Sequence, residues 1–145
     1  MNNFLFKTRC ELIIVSNEVD VNFITKKLDL SPNRFFNKGD QTISKYSGSV
    51  ITKPHNLWAI KSEFSVSENE TISHHIDFFK PILIPKMSIL EQFKKDPLIE
   101  VTFWIWIETD NGGIGLDIEK DELAFLNAVA DTVHISLLCK NEIQE

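Results

Sequence analysis

The sequence predicts an α+β fold, with helices packed on one face of a mainly antiparallel sheet in a ferredoxin-like or related two-half sandwich. Three observations predict it. Leu98–Thr109 alternates strictly, with Val101, Phe103, Ile105 and Ile107 on one side and Thr102, Trp104, Trp106 and Glu108 on the other. That period of two is a β-strand. Apolar stripes at helical spacing recur between strand-like runs, in the order strand-helix-strand, helix, strand-strand-helix-strand. Finally, Val19–Leu30 and Lys120–Asp131 echo each other, each following a strand and opening on an acidic cap.

Taken in order, residues 8–16 form the first strand. Asp20 caps a helix with Val21, Ile24 and Leu28 on its buried stripe, and Ser31-Pro32 stops it because the residue before proline is pushed out of the α region. Residues 33–56 read as a long, polar, irregular loop, of the length that tends to be functional or mobile. Leu57–Phe64 forms a second strand with Trp58 and Ile60 on one face. Thr71 opens a second helical region with Ile72, Ile76, Phe79 and Leu83 in line. Pro81 and Pro85 split it, the second piece lying near Met87–Lys95. Asp110-Asn-Gly-Gly113 has the chemistry of a hairpin turn, with Ile114, Leu116 and Ile118 on a return strand. Asp121 is placed to cap a last helix with Leu123, Leu126 and Ala130 as its stripe. Val133, Ile135, Leu137 and Cys139 mark the last strand, and a frayed tail follows over 140–145.

At 145 residues the chain is one domain, 1–145, long enough to bury its core without staples. Its apolar runs are strand-sized, so no transmembrane helix is expected. The N-terminus lacks the charged and apolar regions of a signal peptide, which points to the cytoplasm. Cys10 and Cys139 both read as small buried residues of a reducing compartment, close together if the first and last strands pair. Net charge is −6, and the short basic clusters Lys26-Lys27 and Lys94-Lys95 fall at helix ends, where the dipole favours cations. Neither nucleic acid nor membrane is therefore expected as a partner, and the acidity suits a basic protein better.

Catalytic chemistry is not announced. His74 and His75 are adjacent and point about 100° apart on a helix, so they make no metal pair, and they read as solvated. With His55 and His134 they complete the histidines, no Cys-x-x-Cys exists, and neither metal nor cofactor is expected. His134 and Cys139, five residues apart on one strand, face opposite ways. No Gly-x-Ser-x-Gly occurs, and the glycines after Asp110 enter a strand rather than the helix a phosphate loop needs. Glu108, Asp110 and Asp117 approach one another only as residues of the expected hairpin.

The stretch Leu28–Asp40, with Pro32, Arg34, Lys38, Gly39 and Asp40, followed by Leu57-Trp58, resembles the signature of the bacterial domain-of-unknown-function family numbered 4279. The likeness runs from about Thr8 to Cys139. It departs at the polar insert Gln41–Pro54 and at Pro81 and Pro85. The resemblance implies a small bacterial cytosolic protein without established catalysis.

The leading expectation is a non-enzymatic binding protein of the toxin-immunity or phage defence-inhibitor kind, an analogy of kind only. Trp104 and Trp106 would anchor a partner protein, a basic toxin or defence protein suiting the charge, and Glu108 would steer it. Self-association as a homodimer through the same face is the rival. The alternative is a sensor of an anionic metabolite or nucleotide. In that reading Arg34 supplies a planar fork, Lys38 a charge, Gly39 and Asp40 a close backbone, and Trp58 a stacking surface.

Overall fold

The computed structural model describes residues 6–110 and 112–139. Asn111, inside the expected turn, and the expected tail 140–145 lie outside the described residues.

The apolar run Leu-Ile-Ile-Val lies within strand β1 (Phe6–Ser16) and is apolar on both faces because β1 is the middle of the sheet. Strands β2 (Arg34–Phe36), β5 (Asn56–Lys61), β6 (Glu100–Thr109) and β7 (Thr132–Cys139) complete a five-stranded sheet in the order β2-β5-β1-β6-β7. All neighbours are antiparallel except β6 and β7, which run parallel. The class is α+β, with the helices gathered on one face.

Helix α1 (Val21–Leu28) begins where the Asp20 carboxylate accepts from the Phe23 N–H at 2.8 Å, and it buries Val21, Ile24 and Leu28 as expected. It ends at Asp29, in the left-handed region with φ 52°. Helix α2 (Ile72–Leu83) is capped by Thr71 and buries Ile72, Ile76, Phe79 and Leu83. A 3-10 turn over Ile84–Lys86 separates it from α3 (Met87–Lys95), the break that Pro85 implies, while Pro81 lies inside α2 and does not end it. Helix α4 (Lys120–Val129) is capped by Glu119 rather than Asp121: the Glu122 carboxylate reaches back to accept from the Glu119 N–H at 3.0 Å. Leu126 and the C-cap residue Ala130 are buried as expected, joined by Phe125 and Val129, while Leu123 is exposed because it lies on the solvent side of the helix. Lys94 Nζ donates to the Asn127 and Ala128 carbonyls at 2.9 and 3.1 Å, which closes the C-terminus of α4.

The hairpin after Asp110 does not form. Residues 112–119 are extended but pair with no strand, and β7 lies beside β6 in parallel. A parallel neighbour demands a long crossover, which the segment and α4 supply. Ile114, Leu116 and Ile118 still alternate, because their half-buried side chains pack along the main core as the chain crosses it. Asp117 is consequently not set across a ladder from Glu108. The loop 33–56 is also more ordered than expected. It holds β2 and a separate hairpin, β3 (Gln41–Ile43) and β4 (Val50–Thr52), whose strand residues are all exposed. The insert Gln41–Pro54 is this arm.

Two residues change their expected setting. Cys139 is exposed and Cys10 buried, and with β6 between their strands they are not neighbours. Burial, with Glu122 nearby, pushes the Cys10 thiol well above its ordinary range. His75 is fully buried, unlike exposed His74. Ser62 Oγ lies 2.6 Å from its Nδ1, and its Nε2 lies 3.0 Å from the Ser67 carbonyl. A carbonyl only accepts, so Nε2 carries the proton and Nδ1 takes the Ser62 hydroxyl. The Cys10 N–H donates to Ser62 Oγ at 2.9 Å, so this chain of bonds ties β1, the end of β5 and α2 together.

Desolvation holds the His75 pKa below its ordinary 6.5, so the folded protein prefers the neutral ring. Its contribution to stability is complete above pH 6.5 and is lost as pH falls from there towards the folded value. Thermal unfolding followed from neutral to mildly acidic pH should show Tm falling in the wild type more steeply than in His75→Leu. That variant should itself lose about 1–3 kcal/mol at neutral pH, chiefly through the stranded Ser67 carbonyl, since the Ser62 hydroxyl can turn to the Cys10 carbonyl 3.2 Å away. Parallel pH profiles would rule out His75 as the titrating group.

Candidate partner-binding face

The same alternation that sends Val101, Phe103, Ile105 and Ile107 into the core turns Thr102, Trp104, Trp106 and Glu108 to the sheet's other face. Among the described residues no helix lies on that face. It carries only a small apolar cluster of its own: Ile13, Leu57 and Ala59, with Val15, Phe36 and Trp104 packed against them.

Trp104 and Trp106 are half-buried and stacked, with ring centroids 5.0 Å apart and planes inclined by 18°. Neighbours on adjacent strands hold this pair. His134, opposite Trp104 on β7, places its ring centroid 3.9 Å from that indole. Arg9, opposite Trp106 on β1, sets its guanidinium 5.1 Å from the other ring centroid. The indoles are thus fixed by cross-strand contacts before any partner arrives. A groove of about 660 Å³ runs beside them, between Trp104, Leu57, Arg34, His55 and Leu98.

The charge on this face is mixed rather than acidic. Arg34 donates to both carboxylate oxygens of Glu11, at 2.8 and 3.2 Å, and the Glu11 side chain is only 6% exposed. Lys61 and Arg9 both approach Glu63, at 3.1 and 3.9 Å. Glu108 is half-buried and sits opposite Lys7 in the β1–β6 ladder. The net negative charge of the chain is therefore not concentrated here.

The residues of the alternative ligand site are not brought together, and each has work in the fold. Trp58 is fully buried on the helix side, and its Nε1 donates to Thr25 Oγ1 at 3.1 Å. It offers no stacking surface, because its strand position shares the face of Ile60. Arg34 is engaged by Glu11. Asn37–Asp40 is a closed turn: the Asn37 N–H donates to Asp40 Oδ2 at 2.8 Å, and the Lys38 N–H to Asn56 Oδ1 at 2.8 Å. The Gly39 N–H donates to the Lys53 carbonyl at 2.9 Å. Gly39 sits at φ 92°, which explains the glycine, and these amides are spent within the protein rather than offered to a phosphate. Asn56, buried, also donates to the Val19 carbonyl at 2.9 Å and so ties the turn to the entrance of α1.

Sequence reasoning missed Arg9, Glu11, Ile13, Phe36, Leu57 and His134 as members of the face. The period of two within β1, which sets Arg9, Glu11, Ile13 and Val15 against Cys10, Leu12 and Ile14, was the available signal. The partners of β1 in the sheet were not readable from it. No group of histidine, cysteine and carboxylate residues able to hold a metal ion occurs among the described residues. No helix among them is long and apolar enough to cross a membrane.

Arg34→Met should leave the nearly buried Glu11 carboxylate without its two charge-assisted bonds and cost about 1–3 kcal/mol. Glu11→Gln/Arg34→Met should recover much of that loss in denaturant unfolding. Additive losses in the double variant would show that the two side chains are not coupled.

A family model described as a domain of unknown function, DUF4279, matches residues 6–140. No curated protein and no solved structure matches.

Proposed function

The chain belongs to the DUF4279 family, and we propose that it is a non-enzymatic protein-binding protein whose open sheet face, centred on Trp104 and Trp106, docks a partner protein. One observation carries the reading: two tryptophans stacked on each other and braced by Arg9 and His134 stand on a sheet face that no described helix covers. Aromatic side chains held in place lose little freedom on binding and supply large contact areas, which is why they dominate interface energies. A face of mixed charge selects its partner by the arrangement of charges rather than by net sign. The partner's surface is expected to be apolar at its centre, with basic groups at its rim to meet Glu108 and acidic groups to meet Lys7. The narrower form, neutralisation of a toxin or of a defence protein, rests on analogy of kind, as does a cytoplasmic setting.

Affinity purification from the native host, followed by titration of the recovered partner, tests the reading. Trp104→Ala/Trp106→Ala should weaken binding by at least about thirtyfold, the loss of a single strong anchor or more, with cooperative thermal unfolding retained. Hydrogen exchange of the wild-type complex should show new protection on β6 and its neighbours. Full affinity in the double variant, or protection confined to the β3–β4 arm, would sink the proposal.

A further inference from the structure

The two edges of the sheet differ in kind. At one end β2 is three residues long, begins with an arginine and is followed by the closed Asn37–Asp40 turn, features that blunt an edge. At the other end β7 presents eight residues, Thr-Val-His-Ile-Ser-Leu-Leu-Cys, with neither proline nor a formal charge. One side of its backbone is paired to β6, and among the described residues no strand pairs the other. Val133, Ile135 and Leu137 share the face of Phe103, Ile105 and Ile107, yet remain 39%, 45% and 50% exposed. The core layer therefore runs out to the edge and stops in the open. Long, uncharged, apolar edges are what soluble proteins avoid unless another strand covers them.

We infer that β7 is a self-association edge, pairing antiparallel with β7 of a second copy of this chain to make one continuous sheet across a twofold axis. Charge selects this occupant. A twofold pair sets the residues at the axis against their own copies and their neighbours close by, so a lysine or carboxylate at the middle of β7 would bring like charges together. The strand has none. A charged foreign strand would find no counter-charge on it. The pleat also restricts the register. Opposed residues must point to the same face, so the axis passes through a residue, and Ile135 or Ser136 gives the greatest overlap. In the first register Ile135 meets Ile135 of the second copy and Val133 meets Leu137. In the second, Ile135 meets Leu137. Both join the two core layers edge to edge, and both leave Trp104 and Trp106 uncovered on the opposite face.

Light scattering after size exclusion should give the wild type twice the chain mass, and Ile135→Lys/Leu137→Lys the mass of one chain. Trp104→Ala/Trp106→Ala should stay dimeric, which separates this interface from the partner-binding face. Hydrogen exchange on the wild type supplies a readout that needs no variant: protection of β7 amides should rise with protein concentration. A monomeric wild type, concentration-independent exchange in β7, or a dimer lost in the tryptophan variant but kept in the lysine variant would each overturn the inference.

Discussion

Pairing of β6 with β1 over ten register positions, Phe6 with Thr109 through Val15 with Glu100, is the constraint on which the rest depends. Because the pleat has period two, that register decides at once which side chains face the helices and which face away. A slip of one residue would drive Trp104, Trp106 and Glu108 into the helical layer and turn Phe103, Ile105 and Ile107 out. With the register fixed, Phe79 meets Phe103 edge to face at 5.1 Å, and all four helices find their apolar seats on the same side. The opposite side receives too little aliphatic surface to recruit a helix. It keeps instead a small cluster around Ile13, Leu57 and Ala59, bordered by the indoles.

The residues that carry the family likeness maintain this scaffold. Trp58 bonds Thr25 under α1, Gly39 turns the chain at positive φ, Asp40 and Asn56 hold that turn closed, and Arg34 neutralises Glu11. Membership of the family therefore speaks to how the chain folds. The proposed recognition surface is centred on Trp104 and Trp106, and of the residues that carry the likeness only Arg34 and Leu57 border its groove.

Where local chemistry and tertiary demand agree, the fold was legible. Asp20 and Thr71 cap helices, Pro85 marks the break between α2 and α3, and the stripes of α1 and α2 are buried residue for residue. Legibility failed where a distant element overrode a local signal. The Asp-Asn-Gly-Gly stretch had turn chemistry, but α4 had to return along the core, so the chain crossed over instead of doubling back. Alternation in Ile114, Leu116 and Ile118 was real and misled, since an extended segment packed on a core alternates just as a ladder strand does. His75 stood on the stripe, three residues after Ile72 and four before Phe79, but as a polar residue beside His74 it read as solvated, because its partners Ser62 and Ser67 lie outside α2. The two tryptophans of β6 were legible as a pair on one face, whereas the residues that brace them come from β1 and β7 and required the strand order.

The three indoles occupy two optically distinct environments. Trp58 is sealed in the core with its N–H bonded to a hydroxyl, so its emission lies to the blue and soluble quenchers do not reach it. Trp104 and Trp106 are half-exposed, and their stacking at 5.0 Å couples their transitions strongly enough to give a paired signal in circular dichroism. The protein thus carries its own label on each side of the sheet. Loss of the coupled signal reports disturbance of the open face, and a red shift of the buried emission reports melting of the helical layer, so the two processes can be timed separately in one unlabelled sample.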